Sequence, residues 1–197
     1  MKKILFVLVM SLMCLNIQAQ VDEPLIEEDK QEDSGTRKIL TNYVYFAKGD
    51  NKEESLGLSY YHYVLSDGKT IDQYAISLLR TSLVRMVLDK GRKLLLKFDN
   101  DSVLTLKTLT AVKTYNNVYS RISDCYKVLY TYYATKDDLK KIMDNNVRKI
   151  RIEENDSYTD ITPTEYDEKF DFSGIIRECF NLIASKKKSS NSVYNNF

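Results

Sequence analysis

The chain holds one histidine, His62, inside Tyr60-Tyr61-His62-Tyr63, a stretch whose tyrosines and flanking leucines and valines read as a β-strand. A Ser-His-Asp triad or a histidine-bearing metal site would have to pass through it. The serine side of such a triad lacks its usual frame. Gly57-Leu58-Ser59-Tyr60-Tyr61 supplies the first glycine of a Gly-x-Ser-x-Gly elbow and not the second. Histidine-rich zinc sites are excluded by count, and Cys125, Cys179 and His62 share no local ligand spacing. No catalytic residue, metal ligand or cofactor is therefore assigned, and His62 reads as an ordinary strand residue.

Two short motifs carry chemistry elsewhere and lose it here to turn geometry. Ser66-Asp67-Gly68-Lys69 has the Ser-x-x-Lys spacing that a helical turn makes reactive, but Asp-Gly between two apolar runs marks a hairpin turn. Asp99-Asn100-Asp101 opens like a calcium loop, yet Val103 stands where the next oxygen ligand is needed. Cys125 and Cys179 can form a disulfide in an oxidising compartment; both lie in apolar stretches, so two buried thiols are the competing reading. Carboxylates are numerous, and no pair stands out as an acid and base.

The most unusual feature is tyrosine, 15 residues against no tryptophan. Strand alternation over 126–132 puts Tyr126, Val128, Tyr130 and Tyr132 on one face and Tyr133 on the other. With an apolar ring and a polar tip, such a row forms either a core against a helix or a contact surface for protein or glycan. Burial of Tyr126, Tyr130 and Tyr132 would remove the second reading. Arg148, Lys149 and Arg151, near Lys140 and Lys141, could meet an anionic partner or form a solvated face.

These residues sit in a chain that reads as exported. Lys2 and Lys3 precede an apolar run from Ile4 to Leu15, followed by Asn16, Ile17, Gln18 and Ala19: charge, grease and a cleavage site, giving a signal peptide over 1–19. About 12 apolar residues are too few for a hydrocarbon core that needs roughly 20. No transmembrane segment is expected in the mature chain, which would be periplasmic or secreted. Without Lys2 and Lys3 the chain has 27 basic and 28 acidic residues, a balance that argues against a nucleic-acid binder. Residues 20–36 read as a disordered acidic linker, 37–185 as a single domain and 186–197 as a polar tail.

Within the domain, strand signals fall at 38–47, 56–65, 71–80 and 83–88. The sharpest hairpin joins 93–98 to 103–109 through Asp99-Asn100-Asp101-Ser102. A long strand near 124–134 meets Thr135-Lys136-Asp137-Asp138, where the threonine can cap a short helix over 136–144 and the aspartates suit its N-terminus. Ile150 and Ile152 alternate with charged residues as a strand. Ile175, Ile176, Cys179, Phe180 and Ile183 line one face of a helix over 173–185. Short turns between strands, with helices late in the chain, predict an α+β fold: a mainly antiparallel, strongly bent sheet of about six to eight strands with both helices packed on it.

Three stretches together resemble uncharacterised secreted proteins of gut Bacteroidetes. They are the signal ending in Ala19-Gln20; Lys90-Gly91-Arg92-Lys93-Leu94-Leu95-Leu96-Lys97 leading into the Asp-Asn-Asp-Ser hairpin; and Thr135-Lys136-Asp137-Asp138-Leu139 running on to Val147-Arg148-Lys149-Ile150-Arg151-Ile152. The resemblance covers the middle half of the chain and implies export from a Gram-negative cell and one compact domain; it carries over no active site. The leading expectation is a non-catalytic exported domain that binds a macromolecular partner. A hydrolase with a carboxylate-based site and an inhibitor or immunity-type protein are the alternatives.

Overall fold

The computed structural model of the chain describes residues 23–32, 35–49, 52–82, 89–108, 114–119, 124–155, 157–166 and 169–194. The signal peptide expected over 1–19 and the strand expected at 83–88 both lie outside these residues. Among the described residues the fold is α+β, with a mainly antiparallel sheet and two helices.

The longest ladder is a hairpin of β4 (Lys52–Val64) and β5 (Thr70–Ser82), in register from Glu54↔Arg80 to Val64↔Thr70. Its turn is set by Gly68 at φ 79° and by the Asp67 carboxylate, which accepts from the Lys69 amide at 3.1 Å. Strand alternation sends Leu56, Leu58 and Tyr60 of β4, and Leu78, Ile76 and Tyr74 of β5, to the same buried face. The outer side of β5 pairs with β9 (Asp124–Ala134). The outer side of β4 pairs with β2 (Arg37–Thr41) and β3 (Val44–Gly49), two halves of the single strand expected over 38–47. The break at Asn42-Tyr43 faces Gly57, where an added Cβ would stand 3.2 Å from the Asn42 carbonyl oxygen.

The sheet continues through β7 (Val103–Thr108), β6 (Lys93–Phe98), β10 (Val147–Glu153) and β11 (Tyr158–Ile161), while β8 (Thr114–Tyr119) pairs with β9 and β12 (Lys169–Phe170) with β3. At the opposite edge β1 (Ile26–Gln31) pairs with β2. The expected sheet of six to eight strands is thus too small; among the described residues twelve are joined in one sheet. The acidic stretch over 20–36 is not wholly a linker, because β1 lies within it, tied to β2 by Arg37–Asp29 and Lys38–Glu28 ion pairs, each at 2.8 Å.

Helix α1 (Lys136–Asp144) has the expected bounds and buries Leu139 and Ile142. Helix α2 (Phe172–Tyr194) begins as expected and runs on through most of the residues read as a polar tail. Its face of Phe172, Ile175, Ile176, Cys179 and Ile183 joins one core cluster with the inward residues of β2–β7, β9 and β10. Ile183 is the last buried residue of that face among the described ones.

Candidate functional site

The tyrosine row of β9 belongs to the core. Tyr130 and Tyr132 are fully buried, and their rings stack 6.4 Å apart at 7°. Burial pushes the Tyr130 hydroxyl up to about 12 and raises Tyr132 further. They are corrected from contact residues to core residues: the inward face of β9 lies opposite Leu78 and Ile76, where alternation leaves no exposure to water. The Tyr126 side chain lies outside the described residues. Tyr133, on the opposite face, is exposed.

Arg148, Lys149 and Arg151 each pair with a carboxylate of the same chain. Asp160 accepts from Arg151 at 2.6 and 2.8 Å and pairs with Lys149 at 2.7 Å, while Asp101 takes Arg148 and Lys97. The Arg151 guanidinium also lies 3.9 Å from the centre of the exposed Tyr158 ring. Hydrogen bonds from Arg151 hold the Asp160 carboxyl at about 2. A row paired in this way is a salt-bridged surface; the anionic partners of Arg148, Lys149 and Arg151 are Asp101 and Asp160.

Cys179 is a free, buried thiol that accepts from Thr41 Oγ1 at 3.6 Å, so it is not bridged to Cys125. Burial raises it to about 11, where it is neither a nucleophile nor a ligand at neutral pH. Ser66 to Lys69 form the exposed β4–β5 turn. Asp99 to Ser102 form the β6–β7 turn, closed by the Phe98 amide on the Ser102 carbonyl at 3.0 Å and with Asp101 at φ 62°. Among the described residues no three His, Cys, Asp or Glu side chains converge as metal ligands.

Two arrangements remain with chemistry to offer. The first is polar and lies on the core side of the sheet, past its apolar residues. Register places Arg37, His62 and Asp72 side by side on β2, β4 and β5. Asp72 Oδ1 accepts from the Tyr60 hydroxyl and meets His62 Nδ1, both at 2.8 Å, and Oδ2 accepts from Lys187 of α2 at 3.1 Å. Partial burial alone would raise this carboxyl; the hydrogen bonds from His62, Tyr60 and Lys187 outweigh it and hold the group at about 2. Such a carboxylate is an acceptor and a counter-ion, far from the poise of a general acid near neutral pH. The sequence singled out His62 without Asp72, because their pairing is a cross-strand register.

The second lies on the other face, at the end of the same hairpin. Tyr63 stands opposite Ile71, and Tyr61, the next residue outward on β4, stacks on Tyr63 with ring centres 6.0 Å apart at 6°. Tyr133 shares this face on β9, opposite Ala75 and four residues along the ladder from Ile71, with Lys107 beyond it on β7. Tyr63 and Tyr133 are each 36% exposed and Ile71 46%, with Val64 and Leu65 exposed at the tip. These are exposed aromatic and aliphatic side chains on one face of the ladder. Sequence reasoning left core and contact surface both open for the β9 row and placed Tyr133 on the other face, where the exposed tyrosines lie.

Comparison with family models, with curated proteins and with solved structures finds no match for this chain. No helix among the described residues is long and apolar enough to cross a membrane.

Proposed function

We propose that this chain is an exported, non-catalytic domain that binds a protein partner through Tyr61, Tyr63, Ile71 and Tyr133. The observation that carries this reading is the exposure of Tyr63, Ile71 and Tyr133 together on one face of a sheet whose opposite face is a packed core. Tyrosine supplies contact area at low conformational cost, and a β-ladder holds it rigid before binding. Export supplies the setting, from the order of charge, apolar run and Ala19 at the N-terminus. The reading includes a strong bend in the sheet, with its core side wrapped around the helices; the single core cluster from Ile39 to Ile183 supports that shape. The hydrolase alternative has less behind it, since Asp72 and Asp160 are both held low by hydrogen bonds rather than poised to give up a proton.

The test is affinity capture with the chain lacking residues 1–19, from the source cell's envelope and medium, in parallel with a Tyr63→Ser/Ile71→Ser variant of matched urea midpoint. A protein retained by the first and lost by the second supports the proposal. Equal capture by both, capture of polysaccharide alone, or capture of nothing overturns it.

A further inference from the structure

Lys187 is anchored in an unusual way for a residue beyond the apolar part of its helix. It follows Ile183 by one helical turn, so the two lie on the same face. Its ammonium sits 3.9 Å from the centre of the Tyr60 ring and 3.1 Å from Asp72 Oδ2. Tyr74 borders Tyr60 with ring centres 5.2 Å apart, and Phe180 borders Tyr74 at 5.8 Å. Asp72 is fixed from its other oxygen by Tyr60 and His62. The neighbouring cation, Arg37, is held by Asp29 through bonds of 2.9 and 2.8 Å, and Asp72 meets the Lys187 ammonium. An aromatic face, a second ring beside it and a pre-positioned carboxylate are the parts from which proteins build recognition sites for ammonium groups.

We propose that the Tyr60–Asp72 corner is a binding site for an alkylammonium group, such as the lysine side chain of a partner, and that Lys187 occupies it as a built-in competitor. The carboxylate and the Tyr60 ring are held by the sheet, whereas Lys187 arrives from the part of α2 past Ile183, the last buried residue of that helix among the described ones. Tethering gives Lys187 an effective concentration on the order of millimolar or above. A free ammonium group therefore binds weakly while Lys187 is seated, and a lysine presented by a docked partner can replace it. The site is separate from the Tyr63–Ile71 face, on the opposite side of the same hairpin.

The experiment titrates n-butylammonium into the isotopically labelled protein and follows the tyrosine ring resonances and the Lys187 Cε resonance. It is run on the wild-type chain, on Lys187→Ala and on Lys187→Ala/Asp72→Asn. The expected result is saturable binding by Lys187→Ala, at least tenfold weaker binding by the wild type, and loss of saturation in the double variant. Tetramethylammonium, which keeps the ring contact and cannot donate to Asp72, should bind Lys187→Ala more weakly than butylammonium. In the wild type, high butylammonium should shift Lys187 Cε as its ammonium leaves the Tyr60 ring, a readout that needs no variant to fold. Equal responses in all three proteins, no saturation in Lys187→Ala, or an unmoved Lys187 Cε at high ligand each overturn the proposal.

Discussion

The Tyr166 hydroxyl donates to Glu54 Oε1 across 3.0 Å, tying the turn at Pro163–Glu165 ahead of α2 to the far end of the β4–β5 ladder. Glu54 is almost wholly buried, and its other oxygen accepts from Arg80 Nε at 2.8 Å, directly opposite on β5. A buried carboxylate held in this way is costly to orphan. Removing Arg80 alone leaves Glu54 charged and underpaired, a loss on the order of 3–5 kcal/mol. Tyr166→Phe deletes one hydrogen bond to a charged acceptor, about 2 kcal/mol. Urea unfolding of Arg80→Met and Tyr166→Phe should rank them in that order; a larger loss in Tyr166→Phe would mean that the ion pair is not the centre of the cluster.

Gly57 meets a backbone constraint rather than a turn. An added Cβ would lie 3.2 Å from the Asn42 carbonyl oxygen and 3.4 Å from that of Thr41, both in the irregular junction between β2 and β3. Carbonyls held by strand pairing on either side have little room to retreat, so Gly57→Ala should destabilise by about 1–3 kcal/mol. The measurement is the urea midpoint. A gain in stability, as expected for glycine replaced in an unstrained strand, would show that the junction yields freely.

The parts legible in the sequence were those where a local rule and the tertiary structure agree. The β6–β7 hairpin is written in its turn formers, and α1 in Thr135, Asp138 and the spacing of Leu139 and Ile142. Strand β1 was hidden because, past the half-buried Ile26, its residues are all polar and leave no apolar alternation to read; its trace was acidic Glu28 and Asp29 set against basic Arg37 and Lys38. The continuation of α2 was hidden for a like reason, since the lysines and serines after Ile183 have no apolar face to extend the pattern. The exposed tyrosine face depends on which side of each strand meets the helices. Alternation separates two faces and does not say which is inner.

Acid should unfold the protein partly through Asp72 and Asp160. Both carboxyls fall from 3.8 to about 2: Asp72 because bonds from His62, Tyr60 and Lys187 overcome the effect of burial, Asp160 because of Arg151 and then Lys149. A group bound more weakly by protons when folded adds stability above its unfolded pKa and loses it as pH falls through the folded one. Their contributions are therefore complete above about pH 5 and vanish toward pH 2. Solvent exposure of both groups limits each to about 1 kcal/mol or less. Urea midpoints of the wild type and Asp160→Asn between pH 5 and 2 should converge as the pH drops; a gap that stays constant would remove Asp160 from the linkage.

The cap of α1 tests whether this short helix is a unit of its own. Thr135 Oγ1 accepts from the Asp138 amide at 3.1 Å while Asp138 Oδ2 accepts from the Thr135 amide at 2.9 Å, a reciprocal capping box. Thr135→Ala should cost about 1 kcal/mol, and Thr135→Ser should retain most of it. A nine-residue helix is marginal alone. Leu139 and Ile142, however, are fully buried in the same cluster as the sheet and α2, so α1 cannot unwind without opening that core. The loss should therefore appear in the global urea transition, with amide exchange across 139–143 slowing or quickening only as global stability does. If Thr135→Ala instead speeds exchange in α1 alone and leaves the urea midpoint in place, α1 opens independently, and its two buried side chains rest on the core without holding it together.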